Sequence, residues 1–241
     1  FDQKLLFIPI FCFIKIIFSN KSTKLKLFST FLYFLFALPY IYLILLWGSI
    51  IPPGASAARR LGDNIFLDQL GFASTIISFY LIPLFLLKKE SIIVLIKNIF
   101  LYKKNYIFIF VISLYVIYLL LFFEFNLNIA GNGIINKISF LLFEGYFRTT
   151  FLLISFFFSL FIVLVYFNKN FVDFLIIFYL FILSLFLYPI FQEYFDPLII
   201  ILVFTFFSSK IYPTYKNSII LFIYFSIFLT GSNIYYYNLL K

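Results

Sequence analysis

Apolar runs of bilayer-crossing length recur along this chain between short polar connections, and no other feature constrains its fold as much. A helix needs roughly 20 predominantly apolar residues, within a range of about 17–25, to cross the hydrocarbon core. About eight stretches read this way: 5–19, 27–51, 70–87, 106–125, 149–167, 174–189, 197–209 and 218–236. The first is short and carries Lys15, the second and third contain Pro39 and Pro83, and the seventh barely reaches the required length. Composition agrees: 65% hydrophobic and 11% charged residues stand well away from the ~45–50% and ~25% of soluble domains. The expected fold class is therefore all-α, a polytopic transmembrane helix bundle forming a single transmembrane domain over residues 1–241. Phe1 opens the chain and no Met occurs in it, which reads as a fragment lacking its N-terminal part.

The net charge of +9 would suggest nucleic acid in a soluble protein. Here it is tested against loop topology instead, because lysine and arginine in short loops mark the cytoplasmic side. Alternating spans send Lys21, Lys24, Lys26, Lys88, Lys89, Lys97, Lys103, Lys104, Lys169, Lys210 and Lys216 to one side, with Glu90 and Asp173. The other side receives Lys4, Arg59, Arg60, Lys137, Arg148 and Lys241 together with Asp2, Asp63, Asp68, Glu124, Glu144, Glu193 and Asp196. The lysine-rich side is read as cytoplasmic, so loops 52–69 and 190–197 are expected on the non-cytoplasmic side of an integral, multi-pass protein. The expected partner is membrane lipid and no nucleic acid. The lone Cys12 excludes an internal disulfide, and the lack of histidine excludes His-based metal sites and triads in these residues.

Between the apolar runs, the stretch WGSIIPPGASAARRLGDNIFLDQ, from Trp47 to Gln69, concentrates charge. Charged groups at membrane depth are candidates for function by default. Pro52, Pro53 and Gly54 are expected to stop the second span, and Ser56 to cap a short helix bearing Arg59 and Arg60 that ends at Gly62. Asp63 is spaced to pair with either arginine, and Asp68 falls at the mouth of the third span. One reading makes this an interfacial turn whose charges neutralise each other. The other gives Arg59 and Arg60 a phosphate or pyrophosphate, whose oxygens match the paired donors of a guanidinium, with Asp63 or Asp68 orienting a sugar hydroxyl or acting as a base.

A second polar connection holds Gln192, Glu193, Tyr194, Phe195 and Asp196. Asp196 before Pro197 is a helix-start signal, whereas Glu193 has no such structural reason. Both carboxylates on one face could bind sugar hydroxyls or a divalent cation, with Gln192 adding hydrogen-bonding groups. A third segment, Glu124 to Arg148, is long enough for a re-entrant or interfacial element, and Glu144 is spaced to pair with Arg148. The run from Lys88 to Asn105 sets Ile92, Ile93, Leu95, Ile96, Ile99 and Phe100 between basic ends, the pattern of a helix lying at the membrane surface. No P-loop, Gly-rich nucleotide fingerprint or metal-ligand spacing occurs.

WGSIIPPG at the head of one outer loop and QEYFDP between two late spans give the chain a resemblance to the membrane-embedded glycosyltransferases of the GT-C class. Those enzymes take sugars from polyprenyl phosphate carriers on the non-cytoplasmic face. The resemblance implies a membrane glycosyltransferase moving a sugar from a polyprenyl-phosphate-linked donor to a lipid or glycan acceptor, such as a cell-envelope glycan. It assigns Arg59, Arg60, Asp63, Asp68, Gln192, Glu193 and Asp196 to substrate binding. The catalytic acidic motif of that class lies in the first outer loop near the N-terminus, and none precedes the first spans here, so the catalytic residue is not assigned. The alternative is a multi-pass transporter or flippase for a lipid-linked or anionic solute, which would require charges at mid-depth and broken helices in matched positions.

Overall fold

The computed structural model describes residues 7–48, 65–88, 91–101, 103–122, 131–167, 170–192, 195, 198–208 and 214–239. Among these there is no β-strand, and ten α-helices follow one another: α1 (Phe7–Ile17), α2 (Thr23–Trp47), α3 (Leu67–Leu84), α4 (Ile92–Leu101), α5 (Lys103–Phe122), α6 (Gly133–Leu142), α7 (Gly145–Phe167), α8 (Phe171–Ser184), α9 (Leu198–Ile201) and α10 (Tyr215–Leu239). A 3-10 turn, Phe85–Leu87, extends α3, and a π-helical turn, Leu202–Phe206, extends α9. The all-helical expectation holds for the described residues.

Five of these helices are long and apolar enough to cross a membrane: Thr23–Trp47, Leu67–Leu87, Asn105–Phe122, Gly145–Phe167 and Tyr215–Tyr235. This is what an integral, multi-pass membrane protein requires. Among the described residues the other three expected spans form shorter helices. The first is the 11 residues of α1, the sixth the 14 residues of α8, and the seventh 4 residues of α-helix followed by 5 of π-helix. After Ser184 the chain runs irregularly through Gln192, with its backbone polar groups met by neighbouring elements: Leu185 O accepts from Phe66 N at 2.8 Å, and Ile190 O from Asn132 N at 2.5 Å. Irregular backbone survives at membrane depth only where protein supplies such partners.

Helix α3 is the axis of the bundle. Phe72, Ala73, Ile76, Ile77, Tyr80, Leu81 and Leu84 are all buried, and its polar residues are absorbed locally. Ser74, Thr75 and Ser78 each donate to the carbonyl three residues back, at 2.7, 2.7 and 3.1 Å, so these three hydroxyls are satisfied within the helix. Gly71 explains the tightness of the main contact, with α7, because any Cβ there would run into the Phe156 ring. Small residues let membrane helices approach in this way. Phe72 then meets Phe156 edge-on with centroids 5.0 Å apart. Helix α2, by contrast, has no buried residue; its exposed Phe31, Phe34 and Phe36 suit lipid, in which an apolar face carries no penalty.

Helix boundaries follow local chemistry. Ser22 caps α2, its side chain accepting from Leu25 N. That helix runs unbroken through Pro39 and ends at Trp47, where Gly48 adopts φ 65°, a conformation in which glycine carries no Cβ penalty. The helix already ends before Gly48; Pro52, Pro53 and Gly54, expected to stop it, lie outside the described residues. Helix α4 forms over the stretch expected to lie at the membrane surface: Leu95 and Ile99 are buried, and Ile93, Phe100 and Leu101 remain exposed.

Candidate functional site

Of the seven residues assigned to substrate binding, Asp68 and Gln192 are described, and Arg59, Arg60, Asp63, Glu193 and Asp196 lie outside the described residues. Helix α3 starts at Leu67, three residues earlier than hydropathy indicates, so Asp68 belongs to its first turn. A carboxylate is favoured there by the helix dipole. Asp68 is 2% exposed and Gln69 0% exposed. Gln69 Nε2 donates to Asp68 Oδ2 at 2.9 Å, and its Oε1 accepts from Ile190 N at 3.0 Å. One side chain thus ties the edge of the first polar connection to the second, 121 positions away. The Phe66–Leu185 backbone bond and the stacked rings of Phe66 and Tyr188, 4.9 Å apart, reinforce that junction.

The third segment joins the same end of the bundle. Gly131, Asn132 and Gly133 have φ of 85°, 59° and 71°, the left-handed region that glycine and asparagine tolerate best. A Cβ on Gly133 would sit 2.6 Å from Ile76 Cγ1, so the turn is wedged against the central helix. Asn132 is fully buried, and neither its amide oxygen nor its nitrogen, nor Asp68 Oδ1, has a hydrogen-bond partner among the described residues. Helix α6, Gly133–Leu142, follows within the segment between Glu124 and Arg148.

Arg148 does not pair with Glu144, the contact that their spacing suggested. Helix α7 begins at Gly145, and the guanidinium turns inward, 3.1 Å from Asn136 Oδ1 and 3.3 Å from Ser139 Oγ, while Glu144 is exposed. A mostly buried cation is thereby held by neutral acceptors on α6 and by the face of Phe140, 5.1 Å from its ring centroid. The periodic placement of Asn132, Asn136 and Ser139 was the available sequence signal for this inward polar face.

Gln192 reaches Tyr80 Oη at 3.0 Å and lines a pocket of about 210 Å³ with Ile134, Lys137, Ile138 and Leu141 of α6 and Phe228, Gly231, Ser232 and Tyr235 of α10. Both helices present an i, i+3, i+4, i+7 stripe to it, the spacing of one helical face. Lys137 Nζ lies 5.2 Å from the Tyr235 ring centroid.

The opposite end of the bundle has its own polar cluster. Lys15 Nζ lies 2.5 Å from Asp173 Oδ1 and 3.0 Å from Ser208 Oγ, while Ser208 N donates to Asp173 Oδ2 at 2.7 Å. The lysine in the first apolar stretch thus neutralises a fully buried carboxylate at the start of α8. Among the described residues no three His, Cys, Asp or Glu side chains gather as a metal site would need, and Glu193 and Asp196, the carboxylates considered for a divalent cation, lie outside them. Comparison with protein families, curated proteins and solved structures finds no match to this chain.

Proposed function

We propose that the chain is part of a membrane glycosyltransferase that moves a sugar from a polyprenyl-phosphate-linked donor to a lipid or glycan acceptor at the non-cytoplasmic surface. The observation that carries this reading is the junction of residues 66–69 with residues 185–190 at one end of the bundle, through Gln69 and Ile190. Two charged connections distant in sequence thereby border one region, as a site assembled from several loops requires. Arg59 and Arg60 would receive the donor phosphate; Asp63, Asp68, Glu193 and Asp196 would meet sugar hydroxyls, alone or through a divalent cation; and Gln192 would line the approach.

Sidedness within this reading rests on the lysine distribution and on eight alternating segments, the three shorter helices included. The alternation itself draws support from Lys15, Asp173 and Ser208, near the end of α1, the start of α8 and the end of the π-turn, which meet at one end. Eight alternating segments demand that meeting. The transporter alternative draws on the interrupted stretch between Ser184 and Leu198, but among the described residues the Lys15–Asp173 pair and Arg148 lie near helix ends rather than at helix centres. The test is transfer from a radiolabelled polyprenyl-phosphate hexose by the full-length protein in nanodiscs. Arg59→Ala combined with Arg60→Ala is expected to abolish transfer without loss of insertion, and wild-type turnover by the variant would count heavily against the proposal.

A further inference from the structure

Helix α4 has two apolar faces, and the bundle covers one of them. Leu95 and Ile99 are buried in the main core, whereas Ile93 and Leu101 are 67% and 75% exposed and Phe100 is half-exposed. Lys97 is exposed as well. Positions 93, 97, 100 and 101 follow the i, i+4, i+7, i+8 spacing of one helical face, so a cation stands within an apolar patch rather than on a polar face of its own. Among the described residues this lysine forms no ion pair. The direction of the face is fixed: Asn105 Nδ2 donates to Ile99 O at 3.0 Å and Tyr106 Oη to Phe100 O at 2.9 Å, which closes the corner between α4 and α5. The apolar helix Leu67–Leu87 ends before α4, and another, Asn105–Phe122, begins after it. The 10 residues of α4 rise only about 15 Å, too little to cross a bilayer, so α4 is held at the surface where those two helices meet.

We infer that the outer face of α4 is a docking surface for anionic phospholipid, with acyl chains against Ile93, Phe100 and Leu101 and the headgroup phosphate at Lys97. In water these three large apolar side chains would stay uncovered, whereas a leaflet covers such a face when the helix sinks about 5–10 Å into the boundary of headgroups and chains. The lysine stem then lies along the apolar surface while its ammonium reaches the headgroups. Charge selects the lipid: residues 88–105 hold five lysines against one glutamate, an excess that draws acidic headgroups to this stretch. The surface lies apart from the junction of residues 66–69 with 185–190, and its role is independent of sugar transfer.

The experiment attaches a fluorophore at Leu101→Cys, one turn from Lys97, in the full-length protein with Cys12 and any other cysteine replaced by serine; Ile93→Cys, one turn to the other side, gives a second reading of the same face. Each protein is reconstituted in equal parts phosphatidylglycerol and phosphatidylcholine, with brominated acyl chains on one lipid or the other. Both brominated lipids are expected to quench, and contact should favour phosphatidylglycerol about fivefold, the weight of one lysine near an anionic surface. Lys97→Gln should remove most of that preference, and Lys97→Arg should keep it. Absence of quenching by either lipid, the result if a partner protein or a second copy of the chain covers the face, overturns the inference. So does equal quenching by both lipids around the wild-type lysine, or a preference undiminished by Lys97→Gln.

Discussion

Replacing Gln69 by leucine keeps the approximate volume of the side chain and removes both halves of an amide that joins two parts of the bundle. Two outcomes differ in size. If only the net worth of the hydrogen bonds is lost, membrane values average about 0.6 kcal/mol each, or about 1.2 kcal/mol for the two. If the partners are left buried and unmet, each costs about 1–3 kcal/mol, with the charged group toward the top of that range, giving about 2–6 kcal/mol. The second outcome should win, because Asp68 is 2% and Ile190 0% exposed and neither can recover a partner from bulk water. At about 2–4 °C per kcal/mol for a chain of this length, the unfolding temperature should fall by at least about 4 °C. The assay is thermal unfolding in nanodiscs followed by far-UV circular dichroism. Adding Asp68→Leu removes the stranded carboxylate at the cost of a helix-dipole contribution of only about 0.3–1 kcal/mol, so the double variant should be more stable than Gln69→Leu alone. A fall under about 2 °C, or a double variant less stable than the single one, would refute the reasoning.

At the opposite end, Lys15→Ala should cost about 3 kcal/mol, the low end for a broken buried pair, because Ser208 N still serves Asp173. Lys15→Ala with Asp173→Asn should recover much of the loss in a double-mutant cycle of unfolding temperatures, whereas additivity within about 0.5 kcal/mol would deny the pair. Gly71→Ala drives a methyl group into the Phe156 ring and should destabilise by about 1–3 kcal/mol; Phe156→Leu in the same chain should restore part of this, and a Gly71→Ala protein that melts like wild type would contradict the close approach of α3 and α7.

Parts of this arrangement were legible in the residues, and others were not. Hydropathy finds α2, α3, α5, α7 and α10 because each is uniformly apolar over a length that lipid requires. It misplaces their starts by a few residues, because Asp68 and Arg148 look like loop residues until a first helical turn and neighbouring side chains accept them. It also carries the α8 stretch to residue 189, past the helix end at Ser184, because the apolar run continues into irregular backbone. Spacing along one helix was a poor guide to partners: Glu144 and Arg148 stand four apart, yet the arginine is met by Asn136 and Ser139.

The chain's order of residues determined, without any contact between helices, that it is helical and lipid-compatible and that its charges gather at the ends of its apolar runs. Those properties depend on local hydrogen bonding and transfer free energy, which each segment carries alone. Which buried polar groups find each other is a different kind of fact. That Gln69 closes on Ile190, that Lys15 answers Asp173 and that α6 and α10 leave a pocket between them depend on three-dimensional approach of segments far apart in the chain. The physical reason is that a desolvated polar group can be satisfied by any donor or acceptor brought within reach, and only the packing of the whole bundle selects which one arrives.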